Sequence, residues 1–179
     1  MATTTSKKNP LAAKPGQKGI DPRGPRFGAI ITLILLGIDI VLGLTGTSTV
    51  AGTTLSERVT DPAFILLAIL TAIFAWGAFA GIQRHPYGLI FKTFIRPRLG
   101  APDELEDPKP PTFAQLIGFL VTAVGIVLAL AGVPYGLVGA AAFAFIAAFL
   151  NGVFGYCLGC QIYVLLARAG IVGRSKASA

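Results

Sequence analysis

The chain has 179 residues, of which 54% are hydrophobic and 13% charged, with a mean hydropathy of +0.73. A soluble globular domain carries about 25% charged residues, so this composition excludes one and points to a membrane protein. The formal charge of +7 does not argue for nucleic acid. The basic residues flank apolar runs and do not interleave with aromatics on a polar surface, so no nucleic-acid partner is expected.

Residues 1–26 contain no apolar stretch. Lys7, Lys8, Lys14, Lys18, Arg23 and Arg26 lie among Pro, Gly and Thr, which reads as a disordered basic tail and not as a secretory leader. Residues 27–168 read as a membrane domain. Four apolar runs, at about 27–46, 63–82, 113–132 and 135–156, are each long enough to cross a hydrocarbon core of about 30 Å as a helix. They lack the period-two alternation of strands, and an open sheet edge has no partner in lipid. The predicted fold is therefore all-α, an integral membrane four-helix bundle.

Between the second and third runs, the stretch from His85 to Arg96 mixes aromatics with cations, as suits a short piece in the head-group layer. Asp103, Glu104, Glu106 and Asp107 follow. They read as a solvated linker, with a local charge clasp or a docking edge for a cytosolic partner as the alternatives. The fourth run has a seam at Asn151-Gly152-Val153-Phe154-Gly155 and stays apolar beyond it. A span to about Tyr156 is expected, then an interfacial or bent continuation to 168, and a basic tail over 169–179.

Fourteen of the 15 Lys and Arg residues lie in the N-terminal tail, the central loop and the C-terminal end; Arg58 alone lies between the first two spans. The positive-inside rule then puts both termini and the central loop in the cytoplasm. A multi-pass protein of the plasma membrane is expected, with the lipid bilayer as its first partner.

Both cysteines fall in one tetrapeptide, Cys157-Leu158-Gly159-Cys160. Residues three apart on a helix are neighbours, so the two sulfurs can meet. A Cys-x-x-Cys at a helix start can have a lowered thiol pKa. Tyr135 to Cys157 spans about 33 Å of helix at ~1.5 Å per residue, roughly one bilayer core. The sulfurs are thus expected near the cytoplasmic surface as a dithiol or a transient disulfide. Two small apolar residues packed at a helix end are the structural alternative, which leaves Gly159 without an evident reason. Structural zinc wants four ligands; Cys157 and Cys160 would supply them only in a dimer, so no metal and no cofactor is assigned.

Other polar positions are weaker candidates. His85 is the only histidine, a base or proton relay if it approaches Cys157 and otherwise an interfacial ring. Asp39 is the only acid inside a predicted span, where burial normally demands a partner; it is read as either a buried functional acid or an interfacial one. Asn151 reads as an interhelical hydrogen-bonding residue. It approaches the cysteines only if a glycine breaks the helix. Gly77-x-x-x-Gly81 and Gly155-x-x-x-Gly159 are spacings that permit close helix contact, and a homo-oligomer is one use for them. Phosphate-loop, Gly-x-Ser-x-Gly and His-Glu-x-x-His motifs are absent, so nothing supports an ATPase or a hydrolase.

Several segments together resemble one family. They are Asp21-Pro22-Arg23-Gly24-Pro25-Arg26-Phe27, Pro86-Tyr87-Gly88, Arg96-Pro97-Arg98-Leu99, and Asn151 through Phe154-Gly155-Tyr156-Cys157-Leu158-Gly159-Cys160. From about Asp21 to Arg168 the chain is similar to the bacterial domain of unknown function 4395 family. The resemblance implies a four-helix integral membrane protein of a kind common in actinobacteria, with no established activity. Some members occur with thioredoxin-like or rhodanese-like proteins, which implies a thiol role and such a cytosolic partner here. The leading expectation is a membrane thiol-redox or sulfur-relay component using Cys157 and Cys160. A transporter or channel subunit for a small sulfur-containing solute is the first alternative, motivated by Asp39 and Asn151. A non-catalytic membrane scaffold is the second.

Overall fold

A computed structural model of the chain describes residues 9–13 and 16–172. Of the two expected tails, residues 1–8, 14–15 and 173–179 lie outside that range. Among the described residues, four helices are long and apolar enough to cross a membrane. They are α1 (Arg23–Thr45), α3 (Pro62–Phe79), α5 (Lys109–Leu130) and α6 (Gly136–Phe154). Three shorter helices lie outside the spans: α2 (Leu55–Thr60), α4 (Pro86–Ile90) and α7 (Leu158–Arg168). A wider-wound turn over Phe91–Ile95 and a tighter one over Arg96–Arg98 continue α4. The all-α, four-span expectation holds.

The spans pack around an apolar centre of Leu36, Ala63, Leu67, Leu70, Leu137, Ala141, Ala144 and Ala148. Small residues on α6 let α1 lie close to it. Outward faces are equally apolar: Phe79, Phe143 and Val127 are exposed by 74, 72 and 62%. A helix apolar all round needs a lipid-like surround, so the inside-out distribution of these large side chains matches a bundle facing hydrocarbon.

Alternation of the four spans puts Arg23, Phe79, Lys109 and Phe154 at one end, here called the basic end. The opposite end is stitched by Asp61. Its carboxylate accepts from the Thr47 N–H and Oγ1, both at 2.6 Å, and from the Ala63 N–H at 2.8 Å. Asp61 thereby caps α3, and Pro62 at the first helical position needs no donor. Burial pushes this carboxyl up, but the Thr47, Ala63 and Phe64 hydrogen bonds outweigh it and hold the pKa below the usual value. Across the same end, the Tyr135 N–H donates to the Ser48 carbonyl at 2.7 Å, and Arg58 reaches the Leu130 carbonyl at 2.8 Å.

The basic end differs from the sequence expectation in two places. A disordered tail to residue 26 is expected, yet α1 starts at Arg23 and the segment before it is hydrogen-bonded. Ala13 N–H donates to the Leu105 carbonyl, Ile20 and Glu106 exchange backbone bonds, and Asp107 N–H reaches the Leu11 carbonyl, all at 2.8–2.9 Å. The acidic linker is thus clasped, mainly through its backbone and through Asn9 on Glu104 at 3.0 Å. Side-chain charge did not signal this pairing, because main-chain groups make most of it. Asp21 starts α1 by accepting from the Arg23 N–H at 3.0 Å and pairing with the Arg23 guanidinium at 2.7 Å. Arg23 in turn reaches the Gly100 carbonyl at 2.9 Å.

Candidate functional site

The fourth span ends at Phe154 because Gly155 takes φ +69°, a left-handed conformation in which glycine has no Cβ penalty. Gly155 N–H closes onto the Asn151 carbonyl at 2.9 Å and Tyr156 N–H onto the Leu150 carbonyl at 3.0 Å. Arg26 of α1 supplies a further cap. Its Nε donates to the Gly152 carbonyl at 3.0 Å and its Nη2 to the Val153 carbonyl at 2.7 Å. Helix ends leave four carbonyls without intrahelical partners, and this guanidinium satisfies two of them.

After the break, Cys157 is extended (φ −83°, ψ 100°) and forms the N-cap of α7. Its Sγ accepts from the Cys160 N–H at 3.2 Å. The two cysteines are joined as a disulfide, with Cα atoms 5.2 Å apart, inside the ordinary range for such a bridge. Their meeting therefore comes from a cap and the first turn of a new helix. The expected i,i+3 pair within one helix is replaced by this arrangement, because the glycine break places Cys157 outside α7. The two sulfurs differ in surroundings: Cys160 is 3% exposed, whereas Cys157 is half-buried.

Gly159 has a packing reason after all. A Cβ there would lie 2.6 Å from both Cα and Cβ of Ala114 on α5, closer than real Cβ contacts come. The missing side chain lets α7 lie against α5, where the Phe113 and Tyr163 rings meet at 5.7 Å. The other small-residue spacing is likewise used inside the chain. A Cβ on Gly77 would meet the Gln115 and His85 side chains, and Gly81 turns the chain at φ +86°.

His85 is 3% exposed and caps α4. Its Nδ1 accepts from the Tyr87 N–H at 3.3 Å, which assigns the ring proton to Nε2. Burial lowers its pKa, so the ring is neutral at pH 7, and its buried Nε2 has no hydrogen-bond partner. Its ring meets Tyr87 edge-on, with centroids 5.0 Å apart. Among the hydrogen bonds and ring contacts of the described residues, none joins His85 to Cys157 or Cys160. The sequence-level pairing of His85 with the cysteines therefore has no contact behind it; the ring packs toward Gly77 and Gln115 instead.

Asp39 is fully buried, and neither carboxylate oxygen has a hydrogen-bond partner. Asn151 contributes its carbonyl to the end of α6, and its side chain makes no hydrogen bond among the described residues. No group of three or more His, Cys, Asp or Glu residues that could hold a metal ion occurs among the described residues.

Arg26, Ala114 and Gln115 are the positions sequence reading missed. Arg26 registered only as topology charge. Ala114 and Gln115 sit in the first turns of α5, and the signal for them was the glycines opposite, Gly159 and Gly77.

No curated protein matches the chain, and no solved structure does. A family model, described as a domain of unknown function (DUF4395), matches residues 20–168, from just before α1 to the last residue of α7. The chain belongs to the DUF4395 family.

Proposed function

We propose that this protein is a plasma-membrane thiol–disulfide component. Its Cys157–Cys160 pair exchanges two electrons with a thioredoxin-like or rhodanese-like protein at the cytoplasmic surface. One observation carries the reading: Cys157 Sγ caps α7 and accepts the Cys160 N–H, while Cys160 is buried behind it. A helix N-terminus with an N–H aimed at a sulfur stabilises its thiolate. The half-buried Cys157 is then the sulfur a partner meets, and Cys160 is the resolving one. The charge bias of the basic end favours a cytoplasmic setting for this pair and for both termini.

A partner thiolate attacks Cys157 Sγ, forming a mixed disulfide, and Cys160 leaves as a thiolate that takes up a proton. A second partner thiolate attacks the partner sulfur of the mixed disulfide, and Cys157 leaves as a thiolate that takes up the second proton. The pair has gained two electrons and two protons, and the partner holds a disulfide. Running in reverse, reduced Cys157 attacks the partner disulfide and Cys160 resolves it.

The test is trapping in intact cells. Cys160→Ser should accumulate a mixed disulfide on Cys157, and Cys157→Ser should accumulate none. Trapping that persists when both are replaced would overturn the reading. Full function of the double variant would leave the scaffold alternative.

The unpartnered carboxylate of Asp39 favours a second reading, a transport subunit for a small solute. Uptake into proteoliposomes that Asp39→Asn leaves unchanged would remove it.

A further inference from the structure

We propose that the groove between the last turn of α3, the first turns of α5 and the flank of α7 is a binding site for an anionic phospholipid of the surrounding bilayer. The site is separate from the cysteine pair and does not rest on the thiol reading. The groove has a volume of about 610 Å³ and is open to the outside. Ala78, Phe113, Leu116 and Tyr163 supply its apolar walls, and Arg84 and Lys109 supply cations.

Polarity is segregated along the membrane normal. Leu116 lies seven residues into α5 from Lys109, about 10 Å along the axis at ~1.5 Å per residue. The apolar part therefore runs toward the hydrocarbon, and the cations sit at the helix end. Trp76 pins the level of the boundary. It is 56% exposed, and its Nε1–H donates to the Arg84 carbonyl at 3.1 Å. Tryptophans of membrane proteins collect at head-group depth, so Arg84 stands where a lipid phosphate would be.

The cations are also available. The one ion pair among the described residues joins Arg23 to Asp21, so Arg84 and Lys109 have none. Asp107, the acid nearest in sequence, accepts from the Lys109 N–H at 2.9 Å and makes no ion pair with the Lys109 ammonium. Two free cations above an apolar slot complement one phosphate above an acyl chain. A soluble anion would use the cations and leave the slot unfilled.

The chain carries its own reporter, since Trp76 is its only tryptophan. The full-length protein is placed in vesicles of equal parts phosphatidylglycerol and phosphatidylcholine, with either one or the other brominated on its acyl chains. Brominated phosphatidylglycerol should quench Trp76 more than brominated phosphatidylcholine at the same mole fraction. Arg84→Gln with Lys109→Gln should reduce that preference by roughly thirtyfold, on the basis of about 1 kcal/mol for each of the two basic residues. Lys92→Gln with Arg96→Gln removes the same charge outside the groove and should retain the preference. Leu116→Phe, which fills the slot and keeps both cations, should weaken it.

Equal quenching of the unaltered protein by both lipids would overturn the proposal without any variant. Equal loss in the two double variants would mean diffuse attraction to the basic end, and would overturn it too. Abolition of the preference by millimolar inorganic phosphate would reassign the site to a soluble anion.

Discussion

Arg26 and Gly152 are bound across two spans: the guanidinium Nε of Arg26 in α1 donates to the Gly152 carbonyl at 3.0 Å. The contact lies one turn before the Gly155 break and five residues before Cys157. It ties the start of the first span to the end of the fourth, so the placement of α7 depends on a residue more than 120 positions away. Arg26→Gln should loosen the end of α6 and cost about 1 kcal/mol, a discounted figure because the guanidinium is partly solvated. Thermal unfolding in detergent would read this as a lower midpoint, and alkylation of reduced Cys160 should become faster. Arg26→Lys keeps the charge but loses the forked geometry, so it should recover only part. A midpoint unchanged in Arg26→Gln would show that the cap is dispensable.

Gly159 sets how closely α7 can approach α5. Gly159→Ala would drive a methyl into Ala114, 2.6 Å from its backbone Cα. Overpacking of this kind costs about 1–3 kcal/mol. Ala114→Gly removes only the Cβ half of the clash, so the double variant should recover part of the stability. The measurement is the midpoint of each variant together with the rate of reduction of the Cys157–Cys160 disulfide by a small thiol. Wild-type values for both in Gly159→Ala would show that α7 is not seated on α5.

The four spans were legible because apolar length alone identifies a membrane helix, and the all-α fold followed from the same fact. Their ends were less so. The third span begins at Lys109, although Pro110 and Pro111 read as linker; proline is tolerated in a first helical turn, where no intrahelical donor is required. The first span begins at Arg23 because Asp21 anchors it, a local bond that composition does not reveal. The seam near Asn151 was visible through Gly152 and Gly155, and Gly155 is the residue that breaks the helix. Which faces turn inward was not legible, since spans apolar on every side carry little directional pattern. The complete burial of Asp39 and the Gly159–Ala114 contact both depend on a partner helix distant in sequence.

His85 makes the stability of the basic end depend on pH. Its folded pKa lies below the ordinary value of 6.5 because the ring is buried. Below pH 6.5 the unfolded chain binds a proton that the folded chain resists, so the unfolded state gains. The contribution of the neutral ring is therefore fully present above about pH 6.5 and is lost as pH falls through the lower, folded value. His85→Asn keeps a capping oxygen for the Tyr87 N–H and removes the titration. The unaltered protein should lose more of its unfolding midpoint between pH 7.5 and 5.5 than His85→Asn does. Equal losses would mean the ring is protonated without disturbing α4.

Asp39 lies on the α1 seam, one turn from both Leu36 and Gly43. Leu36 belongs to the apolar centre with Ala63, Leu67, Leu137 and Ala141, and a Cβ on Gly43 would press on Val138 and Leu137. The carboxyl group is fully buried, and no donor reaches either oxygen. A buried polar group without a partner costs about 1–3 kcal/mol. Replacing it by an apolar side chain of similar size relieves that cost and opens no large cavity. Asp39→Val is therefore expected to raise the thermal midpoint, whereas Asp39→Asn keeps the polar burden and should gain little. Unfolding of both variants in the same detergent separates the two effects. Ionisable residues inside spans commonly mark solute, ion or proton paths. A rise in stability with unchanged solute uptake would leave Asp39 without a transport role. A rise coupled to lost uptake would tie the carboxyl to a solute path through the seam between α1, α3 and α6.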